Sequence, residues 1–143
     1  MVKKVKVLIL RTAGTNCDKE TAFAFSYSGA QTQLIHINKL LKKEVLLKDY
    51  HILAIPGGFT YGDDIASGRI LANELRIHLG DDFKQFISDG KLVLGICNGF
   101  QVLVKSGFLP GFSLDNLKDH FIQDVTLTHN NSAKFEDRWT YLK

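Results

Sequence analysis

A chain of 143 residues has room for one sheet and its covering helices but not for a second core. With 45% hydrophobic residues, 23% charged residues and only two prolines, its composition excludes the disordered, fibrous and repeat classes. The net charge of +3 is spread along the chain without a basic run interleaved with aromatics, so nucleic acid is not an expected partner.

The opening segment MVKKVKVLIL has its apolar run broken by lysines and ends at Arg11 without a small-residue cleavage site, unlike a signal peptide. Val5 to Leu10 reads as a buried strand. A polar loop, TAGTNCD over Thr12 to Asp18, leads into a helix expected over Asp18 to Ser28. Asn16 or Asp18 is its N-cap, Ala22, Ala24 and Phe25 form its apolar positions, and Gly29 stops it. A second strand, Gln33 to Ile37, completes a β-α-β opening. Lys39 to Lys48 reads as a short leucine-rich helix or a pair of turns. The strand His51 to Ile55 follows, then the Pro56-Gly57-Gly58-Phe59 loop. Ile70 to Gly90 carries helical patterns that an interruption near Gly80-Asp81-Asp82 is expected to divide, with Asp81 or Asp82 capping a new helix. Lys91 to Ile96 is a fourth strand, and Asn98 to Ser106 a helix ending at Gly107.

Beyond Pro110, Val125 to Thr128 and Trp139 to Leu142 read as strands joined by an Asn-Asn-Ser turn. The chain stops on that apparent strand without a cap or polar tail, from which truncation is expected. Residues 1–143 are therefore taken as one incomplete domain. Missing strands would leave an unpaired, apolar sheet edge prone to self-association. Strands that are near-continuous apolar runs, alternating with helices, imply a mostly parallel sheet covered on both faces, a three-layer α/β sandwich of flavodoxin-like type. Ligands of such sheets bind outside the carboxyl ends of the strands, which directs attention to the loops after Leu10, Pro56 and Ile96. No segment approaches membrane-spanning length, so no membrane contact is expected. Cys17 and Cys97 are far apart with no CxxC pattern, which suggests neither a disulfide framework nor a zinc site and fits a reducing, cytoplasmic setting.

Gly95-Ile96-Cys97-Asn98-Gly99 sets a cysteine between glycines, directly after a strand and before a helix. This is the pattern of a nucleophile elbow: the nucleophile sits on a strained turn, and its neighbours lack side chains so that strand and helix can approach. The helix that follows directs its amino-terminal dipole toward the sulfur. A lone cysteine is more often a small buried hydrophobe, but its position and the Asn-Gly-Phe-Gln continuation favour the elbow. The Gly57-Gly58 pair lies at the same sheet edge and can turn backbone amides toward a developing oxyanion, with the Asn98 amide as the complementary donor. No Gly-Lys-Ser/Thr follows it to make a phosphate loop. Cys17, beside a helix start without elbow glycines, reads as structural or as part of a partner-facing loop. Tyr61-Gly62-Asp63-Asp64 lacks a third oxygen ligand, so its carboxylates are expected to cap the next helix and no metal is predicted.

GTNCD, PGGFTYGDD, GICNGFQVL and LTHNNSAKFEDRW, in this order, resemble the glutaminase subunits of phosphoribosylformylglycinamidine synthase, a subfamily of the class I (triad) glutamine amidotransferases. The resemblance implies that Cys97 attacks the glutamine side-chain amide, releasing ammonia and forming a thioester that water cleaves to glutamate. It implies Gly58 and Asn98 as oxyanion-hole donors and Gly57, Phe59 and Gln101 at the glutamine, with Phe59 and the Tyr61 to Asp64 loop beside both the bound glutamine and the synthetase subunit. It implies as partners that synthetase subunit, which uses ATP and Mg to convert formylglycinamide ribonucleotide to the formylglycinamidine form in purine biosynthesis, and a small accessory subunit. This chain itself would need no cofactor.

One departure stands against these matches. The family's activating histidine and glutamate lie in a His-Gly-Glu-Gly-like motif, and none of His36, His51, His78, His120 and His129 is followed two residues later by Glu. His129 falls within the family's Thr-His-Asn-x-Ser stretch and is not read as the base, and His120 reads as a solvated or satisfied side chain. Negligible activity of the 143-residue chain is expected. The alternatives are an inactive amidotransferase lobe that only docks on the synthetase, or a cysteine-elbow peptidase or deglycase-like protein. The second would place a histidine where Asn98 stands.

Overall fold

Val7, Leu8 and Ile9 are wholly buried and Leu10 is nearly so, because the strand they form is covered on both faces. The computed structural model describes residues 4–111 and 122–141. Its elements are β1 (Lys6–Arg11), α1 (Asp18–Tyr27), β2 (Gln31–His36), α2 (Ile37–Leu41), a 3₁₀ turn at Leu47–Asp49, and β3 (Ile52–Ile55). A second 3₁₀ turn at Thr60–Asp63, α3 (Arg69–Ser88), β4 (Leu92–Gly95) and α4 (Asn98–Lys105) follow. All strand pairs are parallel in the order β2-β1-β3-β4.

Leu8, Leu10, Leu53 and Ile55 point from the sheet into a core completed by Leu71, Leu75, Leu79, Phe83 and Phe86 of α3, Val102 and Leu103 of α4, and Leu40 of α2. Val7, Ile9 and Ala54 point the other way, against Ala22 and Phe25 of α1. Helices thus lie on both faces, as the three-layer reading requires. The chain leaves β1 on one side to reach β2 and returns over β1 to build β3, so the winding direction reverses between β1 and β3. In open α/β sheets ligands bind outside the carboxyl ends of the strands at such a reversal.

The four strand expectations and the helix expectations at Asp18 to Ser28 and Asn98 to Ser106 match the structure to within one or two residues at each end. Ile37, expected to end the second strand, instead starts α2, and Lys39 to Lys48 resolves into α2 and the Leu47–Asp49 turn. The cap of α1 is neither Asn16 nor Asp18 but Cys17, without a side-chain hydrogen bond. Asp18 is instead buried and paired with Arg11 Nε at 2.5 Å. The expected break at Gly80 is absent: α3 runs through it, since the buried residues Leu75, Leu79, Phe83 and Phe86 keep one face on either side of it. Asp81 and Asp82 need no caps to serve them, being engaged on the surface by Lys84 and Lys43.

Val125 to Thr128 and Trp139 to Tyr141 are not strands. They are exposed segments without ladder partners, with Trp139 and Tyr141 wholly in solvent; a β-pattern without a partner ladder leaves its backbone donors to water. Leu142 and His120 lie outside the described residues. Among the described residues β4 pairs on one side only, and Leu92, Leu94 and Ile96 are exposed beside it, in line with an uncovered apolar edge. No helix among the described residues is long and apolar enough to cross a membrane.

Candidate active site

β3 and β4 deliver two loops to the same end of the sheet, and both are shaped by close backbone approach. Cys97 follows β4 with φ 52° and ψ −109°, a conformation that costs a non-glycine residue roughly 1–3 kcal/mol and persists only where its surroundings enforce it. Those surroundings are glycines. A methyl on Gly95 would stand 2.6 Å from the Gly99 carbonyl oxygen, and one on Gly99 would stand 1.9 Å from the Ile55 oxygen. Strand and helix therefore meet only because both flanking positions lack a side chain, as the elbow reading requires. Cys97 caps α4, its carbonyl accepting from the Gln101 N–H at 3.1 Å. Its thiol is free and exposed, contrary to a buried structural role. α4 turns its amino terminus toward it, and the Asn98 N–H is one of those that a helix leaves without an intrahelical acceptor.

The glycine loop packs directly against this elbow. Gly57 is buried, and a methyl on it would lie 3.5 Å from Cys97 Cβ and 3.7 Å from Cys17 Sγ. Gly58, at φ +145°, bridges Thr15 so tightly that a side chain would strike the Gly14 oxygen at 2.5 Å. The Gly57 carbonyl accepts from the Cys17 N–H at 3.3 Å and the Gly14 carbonyl from the Phe59 N–H at 2.9 Å. Among the described residues no hydrogen bond engages the Gly58 N–H. The loops after β1 and β3 thus close on each other at the winding reversal. The Tyr61 N–H donating to the Ala13 carbonyl at 2.8 Å extends the seam.

Phe59 projects into solvent with 64% of its surface exposed. Tyr61 turns inward in the left-handed region, φ 53°, and donates its hydroxyl to Glu74 at 2.6 Å. Burial, and then the Glu74 carboxylate, hold that phenol above its ordinary pKa. Asp63 does not cap α3 in the expected way. The N-cap is Gly68, whose N–H donates to Asp63 Oδ1 at 3.1 Å. Gln101 accepts from Asn98 Nδ2 at 3.1 Å and borders a cleft of about 320 Å³ shared with Ser67, Lys105 and His129.

Cys17 donates its thiol to Asn16 Oδ1 at 3.2 Å; it is exposed and adjoins the loop of the site. His36 caps α2 by accepting from the Asn38 N–H at 3.2 Å, and His51, at the opposite end of the sheet from Cys97, accepts from the Lys6 N–H at 3.0 Å. No hydrogen bond joins the Cys97 thiol to a histidine among the described residues. Nor is any group of three His, Cys, Asp or Glu side chains there disposed to hold a metal ion. The sequence reading brought Gly57, Gly58, Cys97, Asn98 and Gln101 to one place, and the structure gathers them there. It missed Thr60 and the side chain of Asn98, which are buried and bonded to each other. The only signal for that pair was a threonine just after the glycines and an asparagine just after the cysteine.

Residues 4–143 match a family model described as a CobB/CobQ-like glutamine amidotransferase domain. The chain is 55% identical over 141 residues to the phosphoribosylformylglycinamidine synthase subunit PurQ of Dehalococcoides mccartyi, covering 99% of this chain and 53% of that protein. It is 46% identical over 142 residues to the subunit of the same name from Treponema denticola, covering 96% and 53%. A solved structure described as PurLQS from Thermotoga maritima superimposes with a TM-score of 0.63 at 29% identity, over 75% of this chain and 46% of that one. The chain spans about half the length of the curated relatives it matches.

Proposed function

This chain belongs to the CobB/CobQ-like glutamine amidotransferase domain family, and from that premise we propose that it carries the nucleophile and oxyanion hole of a glutaminase. Cys97 attacks the carboxamide carbon of glutamine, and the tetrahedral oxyanion is held by the N–H groups of Gly58 and Asn98. Collapse of the intermediate breaks the C–N bond, and the protonated nitrogen leaves as ammonia. Water then attacks the γ-glutamyl thioester, returning the thiol and releasing glutamate. Gly57, Phe59 and Gln101 border the bound glutamine. The observation that carries this reading is the exposed Cys97 at φ 52° on the amino terminus of α4, beside a Gly58 N–H that no group of the described chain engages.

The relatives named as subunits of phosphoribosylformylglycinamidine synthase support a synthetase subunit as the recipient of the ammonia. That subunit would use ATP and Mg to convert formylglycinamide ribonucleotide to its amidine, with a small accessory subunit in the assembly. The exposed Phe59 ring at the rim of the site suits that contact. One observation favours a second reading, a lobe that docks on the synthetase without hydrolysing glutamine: His36 and His51 serve backbone N–H groups and not the thiol.

A chloroketone analogue of glutamine tests the glutamine site that the first reading requires and a lobe that only docks does not. The glutaminase site alkylates at Cys97 with saturation kinetics, glutamine protects it, and Cys97→Ala abolishes labelling. Labelling that never saturates, and that glutamine leaves unchanged, overturns the assignment of a glutamine site and leaves the docking lobe.

A further inference from the structure

The loop that carries Gly58 and the helix that presents the Asn98 N–H belong to different elements, so something must set the distance between the two donors. We propose that the Asn98 carboxamide is a positioning residue that clamps the Thr60–Asp63 turn onto the elbow and thereby fixes the Gly58 amide relative to Cys97. This inference rests on the glutaminase reading and adds a role for a side chain that the reading does not use.

Asn98 is 1% exposed, and both ends of its carboxamide are satisfied. Oδ1 accepts from the Thr60 N–H at 3.2 Å and from the Thr60 hydroxyl at 2.8 Å. Nδ2 donates to Asp63 Oδ1 at 3.2 Å and to Gln101 Oε1 at 3.1 Å. Two acceptor and two donor positions are the full capacity of an amide. Aspartate in this place would accept from Thr60 but would face the Asp63 carboxylate with a second negative oxygen, and an aliphatic residue would strand buried donors at Thr60.

Thr60, 2% exposed, stands two residues after Gly58, and the intervening Phe59 N–H is already tied to Gly14. The segment from Gly58 to Asp63 is thus pinned on one side by the loop after β1 and on the other by Asn98. The residue whose backbone N–H is one proposed oxyanion donor holds, through its side chain, the loop bearing the other. Its third contact reaches Gln101, which borders the proposed glutamine position, so one amide links three parts of the site. The strain at Tyr61 and Asp63, with φ 53° and 55°, gives the turn a reason to relax if the clamp is removed.

The test measures alkylation of Cys97 by the glutamine chloroketone, with iodoacetamide as a reagent that senses only the thiol. Thr60→Val removes one donor at nearly constant volume, and Thr60→Ser restores it. Thr60→Val and Asn98→Ala are expected to slow the maximal rate of chloroketone labelling by roughly 10-fold to 10²-fold. Iodoacetamide labelling should stay at the wild-type rate, and Thr60→Ser should recover chloroketone labelling. A merely structural role lowers thermal stability in Thr60→Val but leaves the ratio of the two labelling rates unchanged, and that result overturns the clamp. If Asn98→Ala does not fold, the Thr60 pair still decides. Absence of saturable labelling in the wild-type chain is the separate failure of the glutaminase reading.

Discussion

Gly99 lies against the carbonyl of Ile55 so closely that a methyl on it would come within 1.9 Å of the oxygen. That contact joins the start of α4 to the end of β3, and it fixes how far the elbow stands above the sheet. Gly99→Ala is therefore expected to destabilise the chain by roughly 3 kcal/mol or more, because the atom it strikes is backbone and has no rotamer to yield. Thermal unfolding monitored by circular dichroism checks this. A variant as stable as the wild type would mean that α4 can withdraw from β3, and would remove the geometric basis of the elbow.

Gly80 offers the opposite case. It sits inside α3 with the buried positions Leu75, Leu79, Phe83 and Phe86 on either side, so Gly80→Ala is expected to add about 0.5–1 kcal/mol through helix propensity. A helix broken at Gly80, as the local sequence suggests, would lose stability on the same substitution. The contrast shows where the sequence was legible. Strands such as Val7 to Leu10 and Leu53 to Ile55 were plain because burial on both faces leaves an unbroken apolar run, and the elbow was plain because Gly95 and Gly99 flank a cysteine at a strand end. The break at Gly80 was misread because tertiary burial of Leu79 and Phe83 outweighs one glycine and two aspartates. The Asn98–Thr60 clamp was hidden for a different reason: it joins residues 38 apart through hydrogen-bonding groups that leave no periodic signature.

Tyr50 and Tyr61 are expected to weaken the fold at alkaline pH. Burial raises both phenols above their ordinary value of 10.0; the neighbouring Asp49 charge adds to the shift at Tyr50, and the hydrogen bond to Glu74 adds to it at Tyr61. A group whose pKa is higher folded than unfolded holds its proton more tightly in the folded state. Its contribution is complete below about pH 10 and is lost as pH climbs through the folded values. Stability should thus decline above pH 10, and Tyr61→Phe should remove part of that decline while losing the Glu74 bond at neutral pH. The melting temperature followed across the alkaline range, with tyrosinate absorbance as the titration signal, tests the sign. A Tyr61→Phe profile parallel to wild type would show that this phenol does not contribute.

The last expectation concerns turnover. Cys97 has the strained backbone, exposed thiol and helix amino terminus of a nucleophile, yet a thiol that attacks an amide must lose a proton, and the departing nitrogen must gain one. Among the described histidines, His36 and His51 each accept a backbone N–H at Nδ1, and neither is hydrogen-bonded to Cys97. His78 and His129 are exposed, and neither is hydrogen-bonded to the thiol. Missing general acid–base assistance typically costs on the order of 10²- to 10⁴-fold. Residues 1–143 alone are therefore expected to release ammonia from glutamine no faster than their Cys97→Ser variant, as read by coupling ammonia to reductive amination of 2-oxoglutarate. Alkylation by the chloroketone should persist, because it asks only for a positioned sulfur and a bound analogue. Ammonia release that Cys97→Ser abolishes would require a base within these residues, and His129, which borders the cleft with Gln101, would be the first to substitute.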